Sequence, residues 1–117
     1  MFSEVRKVDK PWGYELIFAH TEQYAGKILH VDAGEALSLQ YHEEKDETLY
    51  LLYGEYELTL EVEGELVTRT VNEGEAFRVQ PGTRHRMVAG PTGCDIIEVS
   101  TPELEDVVRL EDRYGRS

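Results

Sequence analysis

Residues Gly34–Gly54 read GEALSLQYHEEKDETLYLLYG: one strand pattern, a charged turn and a second strand pattern. Gln40 and His42 are two positions apart on the first predicted strand, so their side chains project from the same face. The charged run EEKD suits a turn, and Glu47 opens the second predicted strand. A chain reversal between His42 and Glu47 therefore brings both side chains to one end of the sheet.

A further candidate ligand lies much later in the chain. The stretch QPGTRH, residues 80–85, places His85 just after a Pro-Gly turn and at the start of another predicted strand. Two imidazoles, a carboxylate and an amide oxygen can hold one divalent ion, and these ligand types admit Zn, Mn, Fe or Ni. The candidate ligands of one divalent metal ion are therefore Gln40, His42, Glu47 and His85. The alternative is that the histidines are ordinary surface residues or core residues with satisfied hydrogen bonds.

Short strands with two-residue periodicity are predicted along most of the chain. In EYELTLEV, residues 55–62, Tyr56 and Leu58 alternate with charged or polar residues, which indicates a strand with one buried face. Glu63 and Gly64 form a turn signal between this strand and its predicted hairpin partner at 66–71. Further strands are predicted at 14–20, 26–31, 36–42, 48–53, 76–80, 86–89 and 95–100.

Glycine-containing segments separate these strands, notably at Gly54 and at residues 90–93. Many short strands at regular spacing favour an all-β sandwich or closed barrel. The one helical pattern is at Glu103–Arg109, after the Thr101-Pro102 pair, and it predicts a short C-terminal helix or arm.

Length and charge limit the classes of function. A chain of 117 residues suits a single domain, residues 1–117, and its formal net charge of −12 disfavours both nucleic acid and anionic membranes as partners. The sequence has no apolar run near 18 residues and no hydrophobic signal-peptide core, so a cytoplasmic location is expected. A single cysteine, Cys94, permits no intrachain disulfide.

Two segments resemble the sequence motifs of the cupin superfamily. Gly34–Gly54 resembles the first motif, with Gln40 in place of the usual first histidine, and Gly74–His85 (GEAFRVQPGTRH) resembles the second. This resemblance implies a single-domain cupin, a double-stranded β-helix or jelly-roll barrel, with the four metal ligands named above. It also implies a homodimer.

A narrower resemblance concerns the function. The SLQ-x-H pattern is similar to that of phosphomannose isomerases, while PWGYE at Pro11–Glu15 and VVRLEDRYGR at Val107–Arg116 look like the cupin domain of bifunctional mannose-6-phosphate isomerase/mannose-1-phosphate guanylyltransferases. The resemblance implies a metal-dependent aldose–ketose isomerase with a small sugar as substrate. The related domain tends to carry a His- and Arg-rich stretch where this chain has Glu43 and Glu44, so a phosphorylated substrate is left open.

Three residues are candidates for catalysis beside the metal. Glu98, in the apolar strand IIEVS, either faces solvent or acts as a general base inside the barrel. Lys27 either lines the pocket or extends along its rim. Arg84 lies at the Pro-Gly turn and either reaches the barrel mouth or forms surface salt bridges.

Two other functions fit the same residues. One is an iron- or manganese-dependent dioxygenase, because two histidines and a carboxylate match the ligand set of such enzymes. The other is a non-catalytic module that binds a small ligand or only a metal.

Overall fold

A computed structural model describes residues 1–116 as a curled antiparallel sheet of nine strands. The strands are β1 (Arg6–Lys10), β2 (Gly13–His20), β3 (Ala25–Val31), β4 (Leu39–Tyr41), β5 (Glu47–Val62), β6 (Glu65–Asn72), β7 (Ala76–Val79), β8 (His85–Ser100) and β9 (Val108–Glu111). None of the described residues belongs to a helix long and apolar enough to cross a membrane. The predicted all-β class is confirmed.

β5 and β8 are the two long strands, of 16 residues each, and they pair with each other along both of their halves. β8 also pairs with β3 through residues 94–100 and with β4 at His85. Irregular pairing at two points of β5 lets the sheet curl, so that its inner face closes around a core. The largest fully buried apolar side chains are Tyr56, Leu29, Leu49, Leu51, Ile96, Val31 and Val79.

The predicted turns at Gly54 and at residues 90–93 are wrong, because β5 and β8 each run on through these positions. Gly54 has φ +87°, and a Cβ there would lie 2.1 Å from the carbonyl oxygen of Gly93. The two strands thus meet backbone to backbone at an irregular point in their ladder. Glycine here permits a bulge and close approach within continuous strands, which a sequence pattern does not distinguish from a turn.

The hairpin between β5 and β6 follows the sequence directly. Glu63 and Gly64 form its two-residue loop, with φ of 52° and 81°. Positive φ at both loop positions is the type I′ geometry, whose twist matches that of the flanking strands. The register of β5 and β6 follows from this turn: the paired residues run from Val62 and Glu65 to Glu55 and Asn72.

The predicted C-terminal helix is not seen. Residues 101–107 form turns and irregular chain, and Val108–Glu111 is the strand β9, which pairs with β4. Contacts with other parts of the fold hold this segment: the Asp106 carboxylate accepts hydrogen bonds from the backbone N–H groups of Glu43, Glu44 and Lys45. Such tertiary contacts override a weak local helical preference.

Candidate metal centre

His42, Glu47 and His85 converge inside the barrel from three different parts of the chain. His42 follows β4, Glu47 opens β5, and His85 opens β8; all three are buried. Glu47 Oε2 lies 3.5 Å from His42 Nε2, and Glu47 Oε1 lies 3.7 Å from His85 Nε2. One donor atom from each residue lies within 4.8 Å of the others. Two ligand atoms on one ion are roughly 3 to 4 Å apart when each metal–ligand bond is about 2.1 Å.

The hydrogen bonds of the two histidines fix the ring nitrogen that faces the cluster. His42 Nδ1 lies 2.5 Å from the carbonyl oxygen of Asp106, and His85 Nδ1 lies 2.9 Å from that of Thr83. A carbonyl only accepts, so each Nδ1 carries the proton and each Nε2 keeps its lone pair. Neither Nε2 has a hydrogen-bond partner within residues 1–116, although both atoms are buried. This is the tautomer and outer-shell support of a metal-ligating histidine.

The electrostatics keep the cluster in the ligating state. Burial lowers the pKa of His85, which favours the neutral imidazole. Burial opposes ionisation of Glu47, but His42 and the Lys45 ammonium outweigh it and hold the pKa of this carboxyl well below its usual range. A neutral imidazole and an ionised carboxylate are the forms that bind a divalent ion. The ionisation states of the cluster therefore favour the binding of a metal ion.

Gln40 lies beside this cluster on the inner face. Its Cα is the cross-strand partner of His85, and its side chain lines the pocket that also contains His42 and Glu47. Its Oε1 accepts a hydrogen bond from the Ser38 hydroxyl, at 3.2 Å. The amide thus lines the same pocket as His42 and Glu47.

Four alternately charged side chains continue from the cluster into the same pocket. Lys45 Nζ lies 3.0 Å from Glu47 Oε2 and 3.3 Å from Glu98 Oε2. Lys27 Nζ lies 4.0 Å from the same oxygen of Glu98 and 3.0 Å from Glu15 Oε2. Lys45, Glu98 and Lys27 are all buried. We call Lys45, Glu98, Lys27 and Glu15 the charged chain.

The charged chain shifts the ionisation of its members. Burial raises the pKa of Glu98, helped by the negative charge of Glu47 and opposed by Lys45 and Lys27. Burial works against the charge of Lys45, but the carboxylates of Glu98 and Glu47 raise its pKa above the ordinary value. A buried carboxyl group that has a raised pKa and lies next to candidate metal ligands has the properties of a general base or acid.

Comparison with known proteins agrees with this geometry. A family model described as "Cupin domain" matches residues 27–99, which include both histidines, Glu47 and Glu98. The chain belongs to the cupin family. The predicted fold family is thereby confirmed.

Curated relatives of this cupin are proteins of much greater length. Mannose-1-phosphate guanylyltransferase ManC of Salmonella typhimurium is 38% identical over 116 residues, which are 95% of this chain and 23% of that protein. Xanthan biosynthesis protein XanB of Xanthomonas campestris pv. campestris is 32% identical, over 96% of this chain and 24% of that protein. The chain thus spans about a quarter of the length of these relatives.

Solved structures show the same fold. KdgF from a Halomonas species is 27% identical with a TM-score of 0.71, covering 87% of this cupin and 88% of that chain. Oxalate decarboxylase from Bacillus subtilis is 21% identical with a TM-score of 0.81, covering 93% of this cupin and 31% of that chain. At that identity the second likeness concerns the fold alone.

The three predicted catalytic residues have different surroundings in this cupin. Glu98 and Lys27 lie in the pocket, so the inward alternative holds for both. Arg84 lies apart from it, because its guanidinium contacts Glu61 at 3.4 Å and donates to the carbonyl oxygen of Gly64. The surface salt bridge is therefore the arrangement found for Arg84.

Sequence reasoning missed two residues that organise the site. Lys45 is buried against two carboxylates, although it lies in the charged run EEKD, where a solvated turn was expected. Asp106 lies in the segment interpreted as a helix, yet its backbone carbonyl and carboxylate hold His42 and the 43–45 turn. The signal available for Lys45 was its position as the single basic residue between two ligands, His42 and Glu47; for Asp106 there was none.

Proposed function

We propose that this cupin is a metal-dependent aldose–ketose isomerase acting on a sugar or a sugar phosphate. One observation supports this best: Glu98 is a buried carboxylate with a raised pKa in the same pocket as His42 and Glu47, two of the three residues of the candidate metal cluster. Isomerisation needs both an electrophile for the carbonyl oxygen and a base for the neighbouring C–H. Gln40, His42, Glu47 and His85 would hold the ion.

A divalent ion, when bound, supplies Lewis acidity that polarises the substrate carbonyl and acidifies the adjacent C–H. In the proposed reaction Glu98 accepts the proton from C2 and returns it to C1, while the hydroxyl proton passes from the oxygen on C2 to the oxygen on C1. The C2–H bond breaks and a C1–H bond forms, so no external oxidant or reductant is needed.

The two lysines of the charged chain position the base. Both contact Oε2 of Glu98, at 3.3 Å from Lys45 and 4.0 Å from Lys27, so Oε1 is the oxygen available to take the proton. Lys27 is itself held by Glu15 at 3.0 Å. A base fixed by two buried partners keeps its orientation without reorganisation during the reaction.

The relatives support a sugar substrate. One of them is named for mannose 1-phosphate and another for xanthan biosynthesis, and both match this cupin over nearly its whole length. The resemblance of the Gln40–His42 pair to phosphomannose isomerases supports the reaction class. The expected cytoplasmic location and homodimer stay predictions.

Turnover of mannose 6-phosphate to fructose 6-phosphate by metal-loaded protein tests the proposal. We expect conversion by the native chain and a loss of 100-fold or more in kcat in Glu98→Gln, which removes the base but preserves shape. Metal content, measured by elemental analysis, should be unchanged in that variant. His85→Gln should instead lose the metal and the activity together.

Matched controls separate these effects from general damage. Glu57→Gln removes an exposed carboxylate of β5, and His20→Gln removes an exposed imidazole of β2; neither should change kcat or metal content. Absence of turnover across a panel of aldoses and their phosphates, with metal bound, would contradict the isomerase proposal.

A second function is favoured by the ligand set itself. His42, His85 and Glu47 are two histidines and a carboxylate, the set found in non-haem iron oxygenases. Oxygen uptake by the Fe(II)-loaded protein in the presence of sugars separates the two: isomerisation consumes no oxygen, whereas an oxygenase does. Bound metal without either reaction would favour a non-catalytic binding module.

A further inference from the structure

The two histidines of the candidate metal cluster are oriented in different ways. His85 Nδ1 lies 2.9 Å from the carbonyl oxygen of Thr83, two residues earlier in the chain. His42 Nδ1 lies 2.5 Å from the carbonyl oxygen of Asp106, which is 64 residues later in the chain. The orientation of the His42 ring therefore depends on the position of a distant segment, whereas that of His85 is set locally.

That distant segment is irregular chain between two strands. Residues 101–107 connect β8 to β9, and we call them the strap. At its start, the Thr101 N–H donates to the Asp46 carbonyl oxygen, and the Asp46 N–H donates to the Thr101 hydroxyl, each at 3.0 Å. Beyond its end, β9 pairs with β4, a strand of three residues. The strap itself belongs to no strand or helix, so its position depends on individual contacts.

Asp106 makes the central contact of the strap. Its carboxylate accepts hydrogen bonds from the backbone N–H groups of residues 43–45, at 3.0, 2.7 and 2.8 Å. These residues form the turn between His42 and Glu47. Because the carboxylate and the carbonyl belong to one residue, docking of the Asp106 side chain on the turn also places its carbonyl at His42 Nδ1.

The main chain of His42 has an anchor that does not involve the strap. Its carbonyl oxygen accepts a hydrogen bond from the backbone N–H of Gly82, at 2.7 Å, and Gly82 lies in the Pro-Gly turn that precedes His85. The backbone of His42 is thus held from one side and its ring from the other. Loss of the Asp106 contact should therefore change the orientation of the ring and leave the fold in place.

We propose that Asp106 is a positioning residue for the metal ion, and that docking of the strap and binding of the ion stabilise each other. A carbonyl that accepts from Nδ1 makes Nε2 a better ligand, and a cation on Nε2 makes the Nδ1–H a stronger donor. Because this hydrogen bond is stronger in the metal-bound state, the two events share a coupling free energy that acts in both directions. The inference rests on the metal centre of the proposed function and not on its reaction.

Hydrogen exchange of the native protein measures this coupling. The amides of residues 43–45 donate to Asp106, and the side chains of Glu43 and Glu44 are exposed, so exchange of these amides reports opening of the strap. Zn²⁺ is the probe, because it binds imidazole and carboxylate ligands tightly. We expect these amides to exchange roughly tenfold or more slowly in the Zn²⁺-loaded protein than after chelator treatment.

A second turn of the same kind is the internal control. The amides of Gln23 and Tyr24 donate to the Thr21 hydroxyl in an exposed turn, at 3.1 and 3.2 Å. They also exchange by local opening, but they have no link to the metal cluster, so Zn²⁺ should change their rates by less than about twofold. Equal slowing in the two turns, or no slowing at residues 43–45, would overturn the inference.

Metal affinity measures the same coupling from the other side. We expect Asp106→Asn to weaken Zn²⁺ binding by about ten- to hundredfold, because the His42 ring loses its fixed partner. Competition with a chromophoric chelator gives this affinity. Glu105→Gln changes the exposed carboxylate next to Asp106 and should bind Zn²⁺ like the native protein. By reciprocity, the loss of affinity and the slowing of exchange should be of the same order of magnitude.

A purely structural role for Asp106 gives a different pattern. A residue that only stabilises the fold lowers the unfolding midpoint equally with and without Zn²⁺ and leaves the affinity of the folded protein unchanged. Asp106→Asn should lower the midpoint more with Zn²⁺ than without it. Tyr114→Phe removes hydrogen bonds to Glu35 and Ala36 from the same C-terminal arm, away from the strap, and should show the structural pattern.

The outcomes separate this inference from the isomerase proposal. Native Zn²⁺ affinity in Asp106→Asn would overturn the positioning role and leave the isomerase standing. Coupling of the strap to Zn²⁺ without turnover of any sugar would support the positioning role and contradict the isomerase. If Asp106→Asn does not fold, the exchange rates of the native protein decide alone.

Discussion

Lys45 is the residue on which the buried charges of the pocket depend most. Its ammonium lies between Glu47 and Glu98, and the surroundings of all three are almost free of solvent. Removing one partner of a buried ion pair is costly because the other charge stays buried and uncompensated. Lys45 thus connects a candidate metal ligand to the proposed catalytic base.

Lys45→Met should destabilise the protein by about 3 to 5 kcal/mol, since two buried carboxylates lose their shared cation. Urea unfolding of the metal-free protein measures this loss. Lys7→Met, at an exposed lysine of β1, should change stability by less than about 0.5 kcal/mol. A loss in Lys45→Met no larger than that of the control would contradict the importance of the buried pair.

Asp106 gives a pH-dependent prediction. Burial opposes its ionisation, but the three backbone N–H donors outweigh this and lower its pKa. A lowered folded-state pKa contributes stability that is present above the unfolded value, about 3.9, and is lost as pH falls through the folded value. Asp106→Asn should therefore cost about 1 to 3 kcal/mol at pH 7 and progressively less below about pH 4.

Urea unfolding at pH 7 and at pH 3 checks this prediction. Asp9→Asn, at an exposed carboxylate of β1, is the control and should leave stability unchanged at both pH values. A penalty for Asp106→Asn that is equal at the two pH values would show that the charge of Asp106 does not stabilise the 43–45 turn.

At the level of the strands, the site depends on β5 and β8 running uninterrupted past each other. Glu47 and His85 open these two strands, and Glu98 lies near the end of β8. Their ladder places Leu49 opposite Glu98 and Leu60 opposite His85. The irregular point at Gly54 and Cys94 lets both halves of the pair contribute to one inner face.

Gly54→Ala should strongly destabilise this crossing. The φ of +87° disfavours any side chain, and the new Cβ would meet the Gly93 carbonyl oxygen at 2.1 Å. We expect a loss of about 3 kcal/mol or more in urea unfolding, from the combined strain and clash. Gly64→Ala, which has φ +81° but nothing within 4 Å, should lose only about 1 kcal/mol. Equal losses would show that the close approach is not a constraint.

For the whole molecule, a bound metal ties together parts of the chain that are far apart in sequence. His42 follows β4, while Glu47 and His85 open β5 and β8. An ion that binds only the folded state therefore favours folding by mass action. At 100 times the dissociation constant the gain is about 2.7 kcal/mol.

We expect saturating divalent metal to raise the thermal midpoint by roughly 10 °C over chelator-treated protein, in a chain of this size. Differential scanning calorimetry with and without chelator measures the shift. His85→Gln should abolish the shift, and His20→Gln should keep it. An equal shift in all three proteins would mean that the metal binds elsewhere.

The sequence by itself predicted most of the strands, although not β1 or β9, together with the hairpin at Glu63-Gly64 and the candidate ligands Gln40 and His42 on one strand. These are local properties: side-chain alternation, turn chemistry and spacing along one strand. The family motifs supported His85 as a ligand, whereas spacing alone indicated it only as a candidate. The continuity of β5 and β8 was not available, because glycine permits a turn and a bulge equally well.

Only the tertiary structure decided which charged residues lie around the candidate site. Lys45 and Asp106 look like ordinary surface residues in the sequence, and for Arg84 the sequence left both the barrel mouth and a surface salt bridge open. Their roles depend on which segments the curled sheet brings together: β1, the 43–45 turn and the C-terminal arm around one pocket. Burial and long-range pairing create these environments, and neither is encoded by the neighbours of a residue along the chain.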